Sequence, residues 1–360
     1  DFVELAGACP AGQVGTRPDC TTPPRPMCSA GQVGTYPDCM EPEPEPDPEL
    51  GTPKLQNPVF METYAPRAAL YEALPEFLLG LHVPAHGGPS LRSRKAAIWI
   101  ELSGSAGKRR PRHSTVDTDT DTEHFTAHAG ATVLERTHWN MNASAHHVSG
   151  SADVSSPVKG GDIHARGKGL SLAAHWGGER GYRAGGSVSW TDYDLDISSD
   201  NAGRLISGVG ATAYTLALEA GRRMAWGSRV HWTPYIRLDH MRLRVDSFTD
   251  AVSAQVSFSD HDRYIGSLGL MADTMRSVWG GELSLWGSMN IEHKFGDVET
   301  TSRVSGEKLS AEPEENSVLL ALGAVWRQGP WVLGTTLSVQ RNRGGGNHAY
   351  SGSLIAGVQF

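Results

Sequence analysis

From about residue 96 to the end of the chain, apolar and polar residues alternate with a period of two, in segments broken by turn-forming residues. The last segment, Tyr350-Ser-Gly-Ser-Leu354-Ile-Ala356-Gly-Val358-Gln-Phe360, is apolar at Leu354, Ala356, Val358 and Phe360 and mostly small or polar between them. Successive side chains of a strand point to opposite faces, so this spacing predicts strands with one apolar and one polar face. About twelve are predicted, near 96–105, 124–133, 138–149, 163–176, 181–193, 208–222, 228–242, 263–275, 280–295, 316–327, 331–341 and 349–360.

The connections alternate in length. Short ones are expected near 134–137, 177–180, 223–227, 276–279 and 328–330. Long hydrophilic ones are expected near 106–123, 150–162, 194–207, 243–262 and 296–315. Short turns on one rim and long loops on the other are the arrangement of a membrane barrel, greasy outside and polar within. The predicted fold class is all-β, a transmembrane antiparallel β-barrel of about twelve strands. Alternation also assigns faces. Tyr214, Leu216, Leu218, Ile236 and Leu238 are expected to meet lipid, whereas Trp99, Glu101, Glu219, Tyr235 and Arg237 are expected to face the lumen. Trp139, Trp176, Trp226, Trp232, Trp279, Trp326 and Trp331 all stand beside the expected short turns, where an aromatic girdle would sit at the membrane interface. A soluble β-sandwich with core tryptophans competes with this reading, but rarely has so many strands with such lopsided loops.

Upstream the period changes. Between Pro58 and about Leu81, Leu70, Leu74, Phe77 and Leu78 share one helical face. Pro66 suits a first helical turn, and Pro75 is expected to kink or split the helix. Before it lie two matching C-x10-C repeats, Cys9–Cys20 and Cys28–Cys39, and the spacer Glu41-Pro-Glu-Pro-Glu-Pro-Asp-Pro-Glu49, which alternating proline holds extended. Three regions are therefore expected: 1–57 as a stalk, 58–95 as a helical linker and 96–360 as the barrel.

Composition narrows this little. The 360 residues contain no run of 18 apolar residues, so no membrane-spanning helix is expected. A formal net charge of −8 argues against a nucleic-acid partner. A chain opening at Asp1 without a leader is expected to be a piece of a longer or processed protein.

The stretch Tyr64-x-Pro66…Leu70-Tyr71-x-Ala73-Leu74-Pro75, the strand series after it and the terminal Gly357-Val-x-Phe360 resemble the translocator domain of autotransporters, the type V secretion proteins of the Gram-negative outer membrane. The resemblance covers roughly 58–360. It implies a twelve-stranded barrel whose pore holds an N-terminal helix, the tail of an exported passenger, with Tyr64, Pro66, Leu70, Tyr71, Leu74, Pro75 and Phe77 in the lumen. It implies anchoring and display of the N-terminal segment at the cell surface, without enzymatic activity and without cofactor. The implied partners are outer-membrane lipid and lipopolysaccharide, the chain's own passenger, and the barrel-assembly machinery, which would read Phe360. Pro84, Gly87, Gly88 and Pro89 interrupt the linker that is longer in family members, so a shorter plug is expected. Asn57-Pro58 departs from the Asn-Asn junction at which some members cut themselves, so self-cleavage is not carried over. Arg67, Glu72 and Glu76 are expected to meet lumen charges such as Glu101, Glu219 and Arg237. In a chain bound for the oxidising periplasm, local Cys9–Cys20 and Cys28–Cys39 bridges are the favoured pairing of the three available.

Other chemistry reads weakly. Asp117-Thr-Asp119-Thr-Asp121 begins like a calcium loop but has Thr122 where glycine is needed and His128 where glutamate is needed. His146 and His147 are adjacent in a strand and point to opposite faces. No Gly-x-Ser-x-Gly stands before a helix. Two alternatives remain open: a barrel enzyme, phospholipase or protease, using a rim group such as Asp260, His261 and Asp262, and a small-solute pore with an unrelated tail.

Overall fold

The computed structural model describes residues 65–81, 97–157, 159–227, 229–296, 298–342 and 346–359. Cys9, Cys20, Cys28, Cys39, Tyr64 and Phe360 lie outside these, as do residues 1–64 and 82–96 of the expected stalk and linker.

Among the described residues one helix, α1 (Ala65–Leu81), precedes the strands. These are β1 (Ala97–Arg109), β2 (His113–Ser114), β3 (Asp119–Glu135), β4 (Trp139–Ser155), β5 (Gly161–Gly177), β6 (Tyr182–Ser199), β7 (Gly203–Arg222), β8 (Met224–Trp226), β9 (Val230–Val245), β10 (Phe248–Thr249), β11 (Gln255–Phe258), β12 (His261–Val278), β13 (Gly281–Gly296), β14 (Thr300–Val304), β15 (Glu307–Glu312), β16 (Asn316–Gln328), β17 (Trp331–Asn342) and β18 (His348–Gln359). The main sheet is antiparallel, and β8 is a three-residue stub paired only with β9. The other twelve strands close into a barrel, because β18 returns to pair with β1 from Ala97↔Gln359 to Lys108↔His348. Closure leaves no unpaired edge to face lipid.

The alternation seen in the sequence becomes the two faces of the wall. Tyr214, Leu216, Leu218, Ile236, Leu238, Val318, Leu320 and Leu322 are exposed on the outside, and Thr215, Ala217, Thr233, Asp239, Leu319, Ala321 and Val325 are buried inside. The most exposed of these leucines, Leu322 at 69%, is one of the most apolar side chains in the chain. That inversion is stable only where the outside is lipid. Pro234 cannot donate to a ladder. It sits where the partner of β9 changes from β7, ending at Gly221↔Tyr235, to the stub β8, beginning at Met224↔Trp232.

Two expected long loops are absent. Five residues join β4 to β5 and three join β6 to β7, as residues 150–155, 161–162, 194–199 and 203–207 are paired strand. Asp194 and Asp196 of the second expected loop, like His164 and Arg166 of the neighbouring strand, are the outward positions of strands that continue past the lipid band. They alternate with buried Ile163, Ala165, Tyr193, Leu195 and Ile197. His164↔Asp196, Arg166↔Asp194 and Lys168↔Asp192 are directly opposed across β5 and β6, and opposite charges in that position favour pairing.

The three remaining long connections fold together. β2, β10–β11 and β14–β15 form a second antiparallel sheet in the order β10-β11-β14-β15-β2, a cap at the long-loop rim. Val256, Val304 and Leu309 of the cap are buried in one cluster with α1 and the inner faces of the extended strands. Much of the upper lumen is therefore filled by apolar side chains packed around the helix.

Candidate functional site

The site is the lumen and the helix inside it. At about 1.5 Å per residue α1 is about 25 Å long, and its described side chains are buried on all sides except at Glu76 and Gly80, which are half-buried. The expected single apolar stripe is thus a minimum: Ala68, Ala69, Leu70, Tyr71, Leu74, Phe77, Leu78 and Leu81 are all at or below 3% exposure. Pro66 lies in the first helical turn. Pro75 lies inside the helix, which runs on to Leu81, so it does not split the helix. The missing N–H and the ring's clash with the preceding turn cost about 3 kcal/mol in an isolated helix. Here packing around the whole circumference offsets that cost.

Polar contacts fix the helix at defined heights. Near its N-terminal end the Tyr71 hydroxyl donates to Asp250 Oδ2 at 2.8 Å, and Arg67 lies 3.8 Å from the same oxygen. Asp250 Oδ1 accepts from the backbone N–H groups of Val252 and Ala254, so one buried carboxylate ties the helix to the β10–β11 turn. Tyr71 also packs edge-on against Phe248, with ring centroids 5.7 Å apart. One turn on, Glu72 Oε2 accepts from the Thr115 N–H at 3.0 Å, a contact to the segment after β2. Further along, Glu76 forms a forked ion pair with Arg263 of β12, and its backbone carbonyl accepts from Arg109 of β1 at 2.7 Å. At the C-terminal end a β-carbon on Gly80 would overlap the Arg109 guanidinium, and one on Gly150 of β4 would overlap Leu81. Both glycines allow the helix and wall to approach closely.

These partners correct the expected ones. Arg67, Glu72 and Glu76 meet Asp250, Thr115 and Arg263, because α1 occupies the long-loop half of the lumen. Glu101, Glu219, Tyr235 and Arg237 lie toward the short-turn rim and line a cavity of 420 Å³ there. In that lower lumen Arg237 clasps Asp239 with nitrogen–oxygen distances of 2.8–3.0 Å, and Tyr235 donates to Asn290. Trp99 is half-buried, and its ring fills the space above Gly130 of the neighbouring strand. Trp286, buried at 7% and not singled out from the sequence, fills the space over Gly323 in the same way.

Trp139, Trp226, Trp279 and Trp331 are exposed beside short turns, and Trp176, Trp232 and Trp326 are half-buried. A second belt, missed in the sequence, lies on the outer face toward the other rim: Phe125, Trp190, Tyr214, Tyr264, Phe295 and Tyr350. Its signal was register. Trp190↔Tyr214 and Tyr264↔Phe295 are cross-strand pairs, visible only once pairing is known.

Asp260, His261 and Asp262 do not converge. His261 is buried at 3%, whereas Asp260 bonds Arg242 and Arg244 and Asp262 bonds His240. The Arg244 and Arg242 guanidiniums hold the Asp260 carboxyl well below the usual carboxylate range, which denies it a general-acid role. Among the described residues no group of three or more His, Cys, Asp or Glu side chains is arranged to hold a metal ion.

Comparison with known proteins agrees with this geometry. Residues 98–339 match the family model described as the autotransporter beta-domain. The chain is 29% identical over 183 residues to the adhesin BmaC autotransporter of Brucella suis biovar 1, a match covering 48% of this chain and 5% of that protein. The chain therefore spans a small part of the length of that relative. Among solved structures it resembles the transport unit of the autotransporter AIDA-I from Escherichia coli. There the TM-score is 0.65 at 13% identity, covering 83% of this chain and 98% of that one. It also resembles the translocator domain of NalP from Neisseria meningitidis, with a TM-score of 0.62 at 16% identity, covering 82% and 100%.

Proposed function

Since the chain belongs to the autotransporter beta-domain family, we propose that it anchors in the outer membrane of a Gram-negative bacterium, exports the segment preceding its helix and retains it at the cell surface. The observation that carries this reading is the polarity of α1. Its N-terminal turns are bound by Asp250 and Thr115 of the long-loop cap, so the chain enters the helix from the cap side. With that rim outward, as in bacterial barrels with long extracellular loops, residues before Ala65 are delivered to the surface. The work is translocation and anchoring, without bond chemistry.

Around this core we place the finer roles. Outer-membrane lipid and lipopolysaccharide surround the apolar band, and the tryptophans of the short-turn rim form its periplasmic girdle. The barrel-assembly machinery reads Phe360. Cys9–Cys20 and Cys28–Cys39 close two small loops in the exported stalk.

Labelling of intact cells tests the reading. Single cysteines replace Ser253 at the cap turn, Thr137 in a short turn and Thr52 in the stalk, on a background lacking the native four. A membrane-impermeant maleimide is expected to reach 253 and 52 but not 137. Labelling at 253 without 52 would place the stalk in the periplasm and end the export reading.

A further inference from the structure

Three cations converge where the helix ends: Arg109 on β1, Arg263 on β12 and Lys294 on β13. All three line a 190 Å³ cavity beside α1. Of these, Arg263 pairs with Glu76 and Arg109 bonds the Glu76 carbonyl. Among the described residues no carboxylate lies within ion-pair distance of Lys294. Two acids close in register are engaged elsewhere: Glu292 accepts from Ser317 and Gln340, and Asp239 is clasped by Arg237. A single helix carboxylate thus faces three wall cations. Like charges held together in a partly buried site repel, so the cluster is costly for a helix socket alone.

The segment that precedes the helix has the complementary charge. Residues 1–64 hold ten acidic and three basic side chains, and five of those acids fall in Glu41-Pro-Glu-Pro-Glu-Pro-Asp-Pro-Glu49. In that segment's sequence every second residue is proline and the residues between are all acidic.

We propose that Arg109, Arg263 and Lys294 form a cationic collar that draws the acidic segment 41–49 through the lumen during export, after which Glu76 takes the same cations and seats the helix. This rests on the translocator reading and adds a charge preference to it. A cluster of one sign of charge at one height of a lumen concentrates the opposite sign there and raises the rate of entry. Glu76 arrives later in the same translocating chain, so the collar first guides and then holds.

The test is a charge swap in the full-length protein in cells, read by pulse-chase and surface protease accessibility of the stalk. In one set the five acids of 41–49 become lysine, and in the wall Lys294 becomes Glu or Met. The lysine stalk is expected to reach the surface about tenfold more slowly than the native one. Lys294→Glu is expected to narrow that ratio by speeding the lysine stalk and slowing the acidic one. Lys294→Met, with no new charge, is expected to slow the acidic stalk alone. Labelling at Ser253→Cys reports assembled barrel for each variant. Equal rates for both stalks in the native barrel, or a ratio unmoved by Lys294→Glu, would overturn the collar while leaving export intact. Failure of the native stalk to appear at all would overturn the translocator reading, and the collar with it.

Discussion

At the scale of single residues, the helix is held by contacts between positions remote in the sequence. Tyr71 and Asp250 are 179 residues apart, and Asp250 satisfies four partners from full burial. Removing one member of such a group leaves the others buried and unpaired, which costs more than the lost bond. Asp250→Ala is expected to lower the stability of the cap and helix by about 3 kcal/mol, and Tyr71→Phe by about 1 kcal/mol. Urea unfolding followed by protease sensitivity of the β10–β11 turn would measure both, and equal effects would contradict Asp250 as the hub. Tyr71 was legible in the sequence through its motif. Asp250 was one acid in a hydrophilic connection, and nothing local marks it, because its meaning depends on strand pairing. The same holds for Gly80 and Gly150, whose lack of a β-carbon matters only because Arg109 and Leu81 arrive there from elsewhere.

At the scale of elements, what succeeded and what failed in the sequence have one cause. Alternation identifies a strand with contrasting faces, and it located the barrel strands. It does not reveal what lies beyond either face. For β4–β7 the outward side passes from lipid to water partway along, so outward residues turn from Leu170 and Trp190 to Lys168 and Asp192, while the inner face turns from polar to apolar. The change of solvent was read as the end of the strand. For α1, the amphipathic pattern understated burial because the barrel supplies apolar neighbours all round. The helix is then a structural part of the cap's core as well as a plug. Deleting 65–81 is expected to raise single-channel conductance in planar bilayers and to make the β10–β11 and β14–β15 hairpins protease-sensitive together. Leu74→Asp, a carboxylate at a site with no exposure, is expected to reproduce the hairpin sensitivity through a destabilisation of several kcal/mol. Intact hairpins in either variant would show that the cap folds without the helix.

At the scale of the whole molecule, the chain is two solvents' protein. Around the lower barrel, leucine faces out and asparagine, serine and arginine face in, whereas above the second aromatic belt the order is that of a water-soluble fold, apolar within and charged without. The sequence carried the first half of this, since its alternation and tryptophan spacing speak to lipid directly. The second half required knowing that three connections spread between His113 and Glu312 meet in one sheet. The inversion gives a sharp contrast between neighbours. Leu322 on β16 faces lipid at 69% exposure, opposite Gly287 and Leu337, while Ala321 beside it is buried in the lumen at 7%. A charge on the lipid face near the bilayer midplane costs about 2–4 kcal/mol, and a small polar residue on the lumen face costs little. Leu322→Arg is therefore expected to destabilise the barrel by about 3 kcal/mol in reversible urea unfolding from phospholipid vesicles, and Ala321→Ser by less than about 1 kcal/mol. In a water-soluble sandwich the exposed position would be the tolerant one. A reversed order of the two variants would mean that the outer face of β16 meets water, and the membrane barrel would have to be abandoned.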